Sequence, residues 1–255
     1  LLLFMLAAGW TNIAFVEAAL TGNILRVLLL FYLSPLWAVL LAVIFAALWR
    51  FKPGWRAYFG VAACGLASHI VGDLITSFGT MIFAPISDAR YALSATFIID
   101  LWFSGIILAG LVLSLFFRGS RLPAVAASCV LVGYVGFQLL QKQEALDLGR
   151  AHAQTLGLKD ARVTAHPRPV SPFNWTIFVS DEAAHRYAHV NLVRKEARAL
   201  RPGEGFIARI DAPYLPKAQA IWVTRARYGE TDEARALATQ AWRSESLGFF
   251  RWFAD

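Results

Sequence analysis

The stretch SHIVGDLITSFGTMIFAPISDARYA (68–92) decides how the chain is read. It places His69 and Asp73 inside a segment that otherwise has the composition of a membrane-buried helix. An ionisable side chain at membrane depth costs at least about 3 kcal/mol, so two of them one helical turn apart point to a use. At the helical repeat, His69, Asp73, Thr76 and Thr80 share one face, with Gly65, Gly72 and Gly79 along its edge. Ala67, Ile70, Val71, Leu74, Phe78 and Met81 form the opposite face. Small residues let helices approach closely in a bilayer. The polar face is therefore expected to point into a helix bundle and the apolar face toward lipid.

Outward from this stretch the chain divides into two parts. The 255 residues are 58% hydrophobic with a mean hydropathy of +0.52, too apolar for an ordinary soluble domain. Residues 1–140 read as nearly continuous spans and form a transmembrane helical domain carrying the polar site; residues 141–255 read as a soluble C-terminal domain. Five spans are expected: Leu1 to Leu20, Val27 to Trp49, Ala57 to Phe83, Ala92 to Phe117 and Pro123 to Leu140. The expected fold is thus an α-helical multi-span membrane bundle of about five spans with a C-terminal α+β extramembrane domain. Because the sequence opens on Leu1 inside an apolar run, a start further upstream is expected.

Charge fixes the orientation. The loop after the second span carries Arg50, Lys52 and Arg56, and the loop after the fourth carries Arg118 and Arg121. The positive-inside rule assigns both to the cytoplasm, which puts the C-terminal domain and the APISDAR turn (84–90) on the periplasmic or extracellular side. The net charge of +7 is explained by these loops and by the soluble part, and nucleic acid is not an expected partner. Cys64 and Cys129 both fall in spans, which argues against a disulfide framework and a thiolate zinc site.

In the C-terminal part, 141–158 reads as a helix continuing off the membrane. NWTIFVSD (174–181) and RYAHVNLV (186–193) alternate about a DEAAH turn and predict a hairpin. GFIARID (205–211) and AIWVTRARY (220–228) read as further strands. TDEARALATQAWRSES (231–246) has an N-terminal capping signal and helical periodicity. The aromatic ending LGFFRWFAD (247–255) suits the bilayer surface. His152, His166, His185 and His189 read as surface residues.

An imidazole nitrogen and a carboxylate oxygen four residues apart on a helix can face one zinc or manganese ion, or one can orient the other. The alternative for His69 and Asp73 is a hydrogen-bonded pair that tightens helix packing. Asp100, in IIDLW, is a ligand, a general base or an interhelical ion-pair partner of Arg90, and Glu17 is a weaker case of the same kind. No phosphate-binding loop, nucleophile elbow, zinc-protease helix motif or dinucleotide fingerprint is present.

The segment 68–101 resembles the signature of a membrane-bound, metal-dependent hydrolase family, the YdjM-type inner-membrane hydrolases. The resemblance rests on H-x-x-x-D (His69, Asp73), then Thr76, Ser77, Gly79 and Thr80, then Pro85, Ser87, Asp88, Arg90 and Tyr91, and finally Asp100. SPLWAVLLA (34–42) and HPRPVSPFNWTIFV (166–179) are similar to the same family. Family members carry an acidic P-D-x-D-type segment and an H-R-G-x-T-H-S segment ahead of the SPLWA span. Here GWTNIAFVE (9–17) and ILRVLLLFYLS (24–34) stand in that region, without those histidines and aspartates.

The resemblance implies a bacterial inner-membrane hydrolase in which His69 and Asp73 hold a divalent metal, zinc or manganese. It implies Asp100 or Asp88 as base or further ligand, and Arg90 as the group that holds an anionic substrate. A phosphoester or a lipid-like molecule is the expected substrate, and the lipid bilayer is the expected surrounding. Two alternatives stand beside this reading. One is a non-catalytic membrane protein whose soluble domain binds a partner; the other is an ion- or proton-coupled transporter using His69, Asp73 and Asp100.

Overall fold

The computed structural model of the chain describes residues 55–83, 86–248 and 251. Two compact units are present, Leu1–Val71 and Gly72–Asp255. In the first, the described residues are helical: they are the greater part of α1 (Trp55–Ile75). The first two expected spans, with Asn12 and Glu17, lie outside the described residues, as do Ala84 and Pro85.

The expected five-span bundle is not what the described residues form. Among them, one helix is long and apolar enough to cross a bilayer, and a five-stranded sheet accompanies the helices. The third expected span, Ala57 to Phe83, ends as a helix at Ile75. The backbone N–H and the hydroxyl of Thr76 both turn back to the Asp73 carbonyl, at 3.1 and 2.8 Å. Gly79 then takes φ +79°, a left-handed conformation that a helix cannot continue through and that glycine adopts without steric cost. Thr80 therefore leaves the helical stripe and forms an isolated bridge with Tyr91.

The fourth expected span begins later than its apolar run. Leu93, Ser94, Ala95 and Thr96 run back along the end of α1, their N–H groups reaching the carbonyls of Leu74, Ile75 and Thr76. Helix α2 (Leu101–Phe116) follows, 16 residues long. Its rise of about 24 Å falls short of the roughly 30 Å hydrocarbon core.

Helix α3 (Leu122–Thr155) is a single element of 34 residues, about 51 Å long, joining the fifth expected span to the helix expected after it. Its first half exposes apolar side chains to the surroundings, Val132 by 73% and Leu140 by 70%. The core helix of a soluble protein would bury them; a bilayer is the surrounding that suits them. Gly110 of α2 allows a close approach to this half: a Cβ there would lie 2.4 Å from that of Ala127.

The second half of α3 carries the sheet. Strands β1 (Arg162–Pro167), β2 (Asn174–Ser180) and β3 (Ala184–Asn191) form an antiparallel meander. Helix α4 (Phe206–Asp211) leads to β4 (Leu215–Pro216), parallel to one end of β3, and β5 (Val223–Ala226) pairs antiparallel with the other. The expected hairpin is present. GFIARID, read as a strand, is α4, and of AIWVTRARY only Val223–Ala226 is a strand.

Alternation on β2 sends Trp175, Ile177 and Val179, all fully buried, toward α3. There they meet a seam of small residues, Ala145, Gly149 and Ala153, spaced by four. A Cβ on Gly149 would lie 2.6 Å from Val163 Cγ1 and 2.7 Å from Ile177 Cγ2, so the seam lets helix and sheet touch at backbone distance. Trp222 closes the far end by stacking on His152 of α3, ring centroids 3.9 Å apart. Helix α5 (Asp232–Arg243), capped by Thr231, follows and buries no residue, and a 3-10 turn (Glu245–Leu247) comes after it.

Candidate functional site

His69 and Asp73 occupy the last two turns of α1, one turn apart as their spacing requires. His69 is exposed and Asp73 half-buried. Beyond the helix end, the two arms of the segment from Thr76 to Tyr91 are held together by reciprocal Thr80 and Tyr91 backbone hydrogen bonds of 2.9 and 3.0 Å. Arg90 lies across this loop, its guanidinium Nη2 donating to the Phe78 carbonyl. The bare Gly79 makes room for it, since a Cβ there would meet Arg90 Cβ at 3.3 Å. Asp88 is exposed at the turn, next to Ser87, whose hydroxyl accepts from the Ala89 N–H.

Asp100 is not inside a span: it is the N-cap of α2. Its Oδ1 accepts from the Trp102 and Phe103 N–H groups, both at 2.9 Å, and its Oδ2 accepts from the Tyr134 hydroxyl of α3 at 2.8 Å. Both oxygens are thus engaged, one satisfying orphan donors at a helix start and the other tying α2 to α3. Arg90 is not its partner in these bonds. Among the described residues, no group of three or more His, Cys, Asp or Glu side chains converges as a metal-binding set.

A second constellation lies on the face of the sheet opposite α3. The register places His166 of β1, Thr176 of β2 and His189 of β3 in one row across three strands. Thr176 is fully buried, and its hydroxyl receives Arg168 Nε at 2.6 Å and meets His189 Nδ1 at 2.8 Å. The same hydroxyl also bonds the Tyr214 side chain, so it joins Arg168, His189 and Tyr214. The rings of Phe178, Tyr187 and Tyr214 continue the face, with His189 and Tyr214 centroids 5.5 Å apart.

Burial holds the His166 pKa below the ordinary histidine value, reinforced by the charges of Arg168, Lys142 and Arg162. His189 is lowered by burial and by Arg168. Next to this row, burial works against ionised Asp211, but hydrogen bonds from Asn174, Arg194 and Arg198 outweigh it and its pKa lies below the usual carboxylate value. This second group escapes a reading of sequence because it depends on strand register. The only signal for it was two-residue alternation, which puts His166 and Arg168 on one side of their strand.

Residues 30–145 match the YdjM inner membrane protein family. No curated protein and no solved structure matches the chain. The matched region takes in α1, the Thr76–Asp100 segment, α2 and the apolar half of α3. It stops at Ala145, the first residue of α3 buried in the sheet core, so the row on the sheet and the segment 166–179 lie outside it. Across residues 30–145, a stretch that contains the H-x-x-x-D pair and ends on a lipid-suited helix, the chain is similar to the YdjM inner membrane protein family.

Proposed function

We propose that the chain is a membrane-bound, metal-dependent hydrolase acting on a phosphoester or lipid-like substrate. The observation that carries this reading is the H-x-x-x-D spacing of His69 and Asp73 in the helical sequence of α1, followed later in the chain by Asp88 and Arg90. An imidazole and a carboxylate fit zinc or manganese in donor chemistry, and the described residues supply these two donors of a set that needs more. A divalent ion held there supplies Lewis acidity toward water and substrate.

The remaining work falls to the chain's own groups. Arg90, fixed by the Phe78 carbonyl through one nitrogen, orients the turn and offers its positive charge to an anionic substrate group. Asp88, exposed, is the carboxylate available to take a proton at Oδ. Asp100 can take that role only by releasing the Tyr134 hydroxyl from Oδ2. That engagement favours a second reading, in which the same residues make a packing network and the protein is not catalytic.

The chain is multi-pass in this proposal, with its sheet domain outside the cytoplasm. Arg118 and Arg121, between α2 and α3, hold their loop inside, and α3 crosses from there to the sheet. Hydrolysis of a chromogenic phosphodiester by the purified chain tests the activity. Turnover that is lost on chelation and in His69→Ala supports the hydrolase. Turnover absent from the metal-supplemented wild type favours the packing network.

A further inference from the structure

The sheet row has an unusual charge environment. Arg168 continues β1 past Pro167, its main-chain N–H donating to the Asn174 carbonyl at 2.9 Å. Its guanidinium is anchored through Nε alone, on the fully buried Thr176 hydroxyl. Among the described residues, no side chain takes up its Nη1 and Nη2 groups. The charges that act on His166 come from Arg168 and Arg162 on its own strand and from Lys142 on α3, all positive. Two carboxylates lie nearby and both are engaged: Asp211 is shared between Arg194 at 2.7 Å and Arg198 at 3.1 Å, and Asp100, which lines one crevice with Arg168, accepts from Trp102, Phe103 and Tyr134. A rigidly held arginine fork beside two histidines and a lysine, without a counter-charge of its own, has the donor chemistry of a phosphate site.

Its position adds to this. The segment after Arg168 rests on the membrane helices: Phe173 meets Phe137 of α3 edge to face at 5.7 Å, and Arg168–Ser171 share a narrow crevice with Asp100, Leu101 and Trp102 at the start of α2. Lys142 lies one turn past the apolar half of α3, its Nζ donating to the Leu93 carbonyl at 2.7 Å. These contacts put the arginine where apolar helix surface gives way to polar domain, the depth of lipid phosphates.

We propose that Arg168, with His166, His189 and Lys142 around it, binds a phosphate group at the membrane-facing end of the sheet. This site is separate from the α1 residues, and of its four residues only Lys142 falls inside the family-matched region. A phosphate there accepts from the two free arms of the Arg168 fork, while the neighbouring histidines gain a counter-charge. The phosphate belongs either to an anionic lipid headgroup or to a soluble phosphate-bearing molecule.

The test uses the full chain in maltoside micelles, which contain no phosphate, with histidine rings 13C-labelled and observed by NMR. Inorganic phosphate should move the His166 and His189 resonances saturably, and Arg168→Gln should weaken its binding at least tenfold. Adding phosphatidylglycerol to the micelles in place of phosphate should produce the same shifts if a headgroup is the ligand, and no shift if the ligand is soluble. Should Arg168→Gln fail to fold, judged by the near-ultraviolet signal of Trp175, Lys142→Gln decides, with a several-fold loss expected. The proposal is overturned if neither phosphate nor the lipid moves the resonances, or if the folded variants bind as the wild type does.

Discussion

Replacing Gly149 by alanine tests how the membrane helix and the sheet are joined. The added methyl would sit 2.6 Å from Val163 Cγ1 and 2.7 Å from Ile177 Cγ2, against a normal carbon contact of about 3.5–4.0 Å. Ile177 is fully buried and cannot swing aside, so helix and sheet must part by about 1 Å. Overpacking of this kind costs about 1–3 kcal/mol, and two simultaneous clashes argue for the upper end. The gain in helix propensity from glycine to alanine returns about 1 kcal/mol. The net is a loss of about 2 kcal/mol, or a fall in Tm of about 4–8 °C for a domain of this size.

The controls lie on the same helix. Gly133 and Gly136 meet nothing within 4 Å, so alanine there should leave stability unchanged or slightly raised. Thermal unfolding of the full chain in mild detergent, followed by the near-ultraviolet signal of Trp175, measures all three. Gly149→Ala at or above the wild-type Tm would refute the close approach of α3 and sheet.

Other consequences follow from the electrostatics and the topology. His166 and His189 have folded-state pKa values below their unfolded ones, so folding favours their neutral forms. That stability is complete above about pH 6.5 and is lost as pH falls through the folded values; His166→Gln and His189→Gln should flatten the Tm profile between about pH 7.5 and 5. Asp211 has a depressed pKa, so its contribution is present above about pH 4 and lost below it. Arg194→Met should lower stability near neutrality by about 2 kcal/mol and reduce the acid-dependent part of the unfolding curve. In a cysteine-free background, Glu182→Cys should react with an impermeant thiol reagent from outside and Ser120→Cys only after permeabilisation; the reverse pattern would overturn the orientation.

How far the fold was legible depended on whether its signal was local. The β2–β3 hairpin announces itself by alternation, and α5 by its threonine cap and acidic first turn. The end of α1 at Ile75 is hidden, because apolar residues continue through Phe78 and Phe83 while the turn depends on the backbone at Gly79. α4 looks like a strand because Asp211 has to be assumed exposed. Its burial is made tolerable by Asn174, Arg194 and Arg198, which lie 37, 17 and 13 residues away in sequence. Asp100 shows the same limit: the residue was conspicuous, but its role as the cap of α2 and acceptor of Tyr134 required the tertiary structure. The His166–Thr176–His189 row could not be seen before the register of three strands was known.

The most direct test of the hydrolase reading is the metal content of the purified full chain. After dialysis against metal-free buffer, elemental analysis by mass spectrometry should find close to one zinc or manganese per chain, and His69→Ala and Asp73→Asn should each lose it while remaining folded. Wild-type protein that retains no metal, after purification with zinc and manganese supplied, would contradict the account.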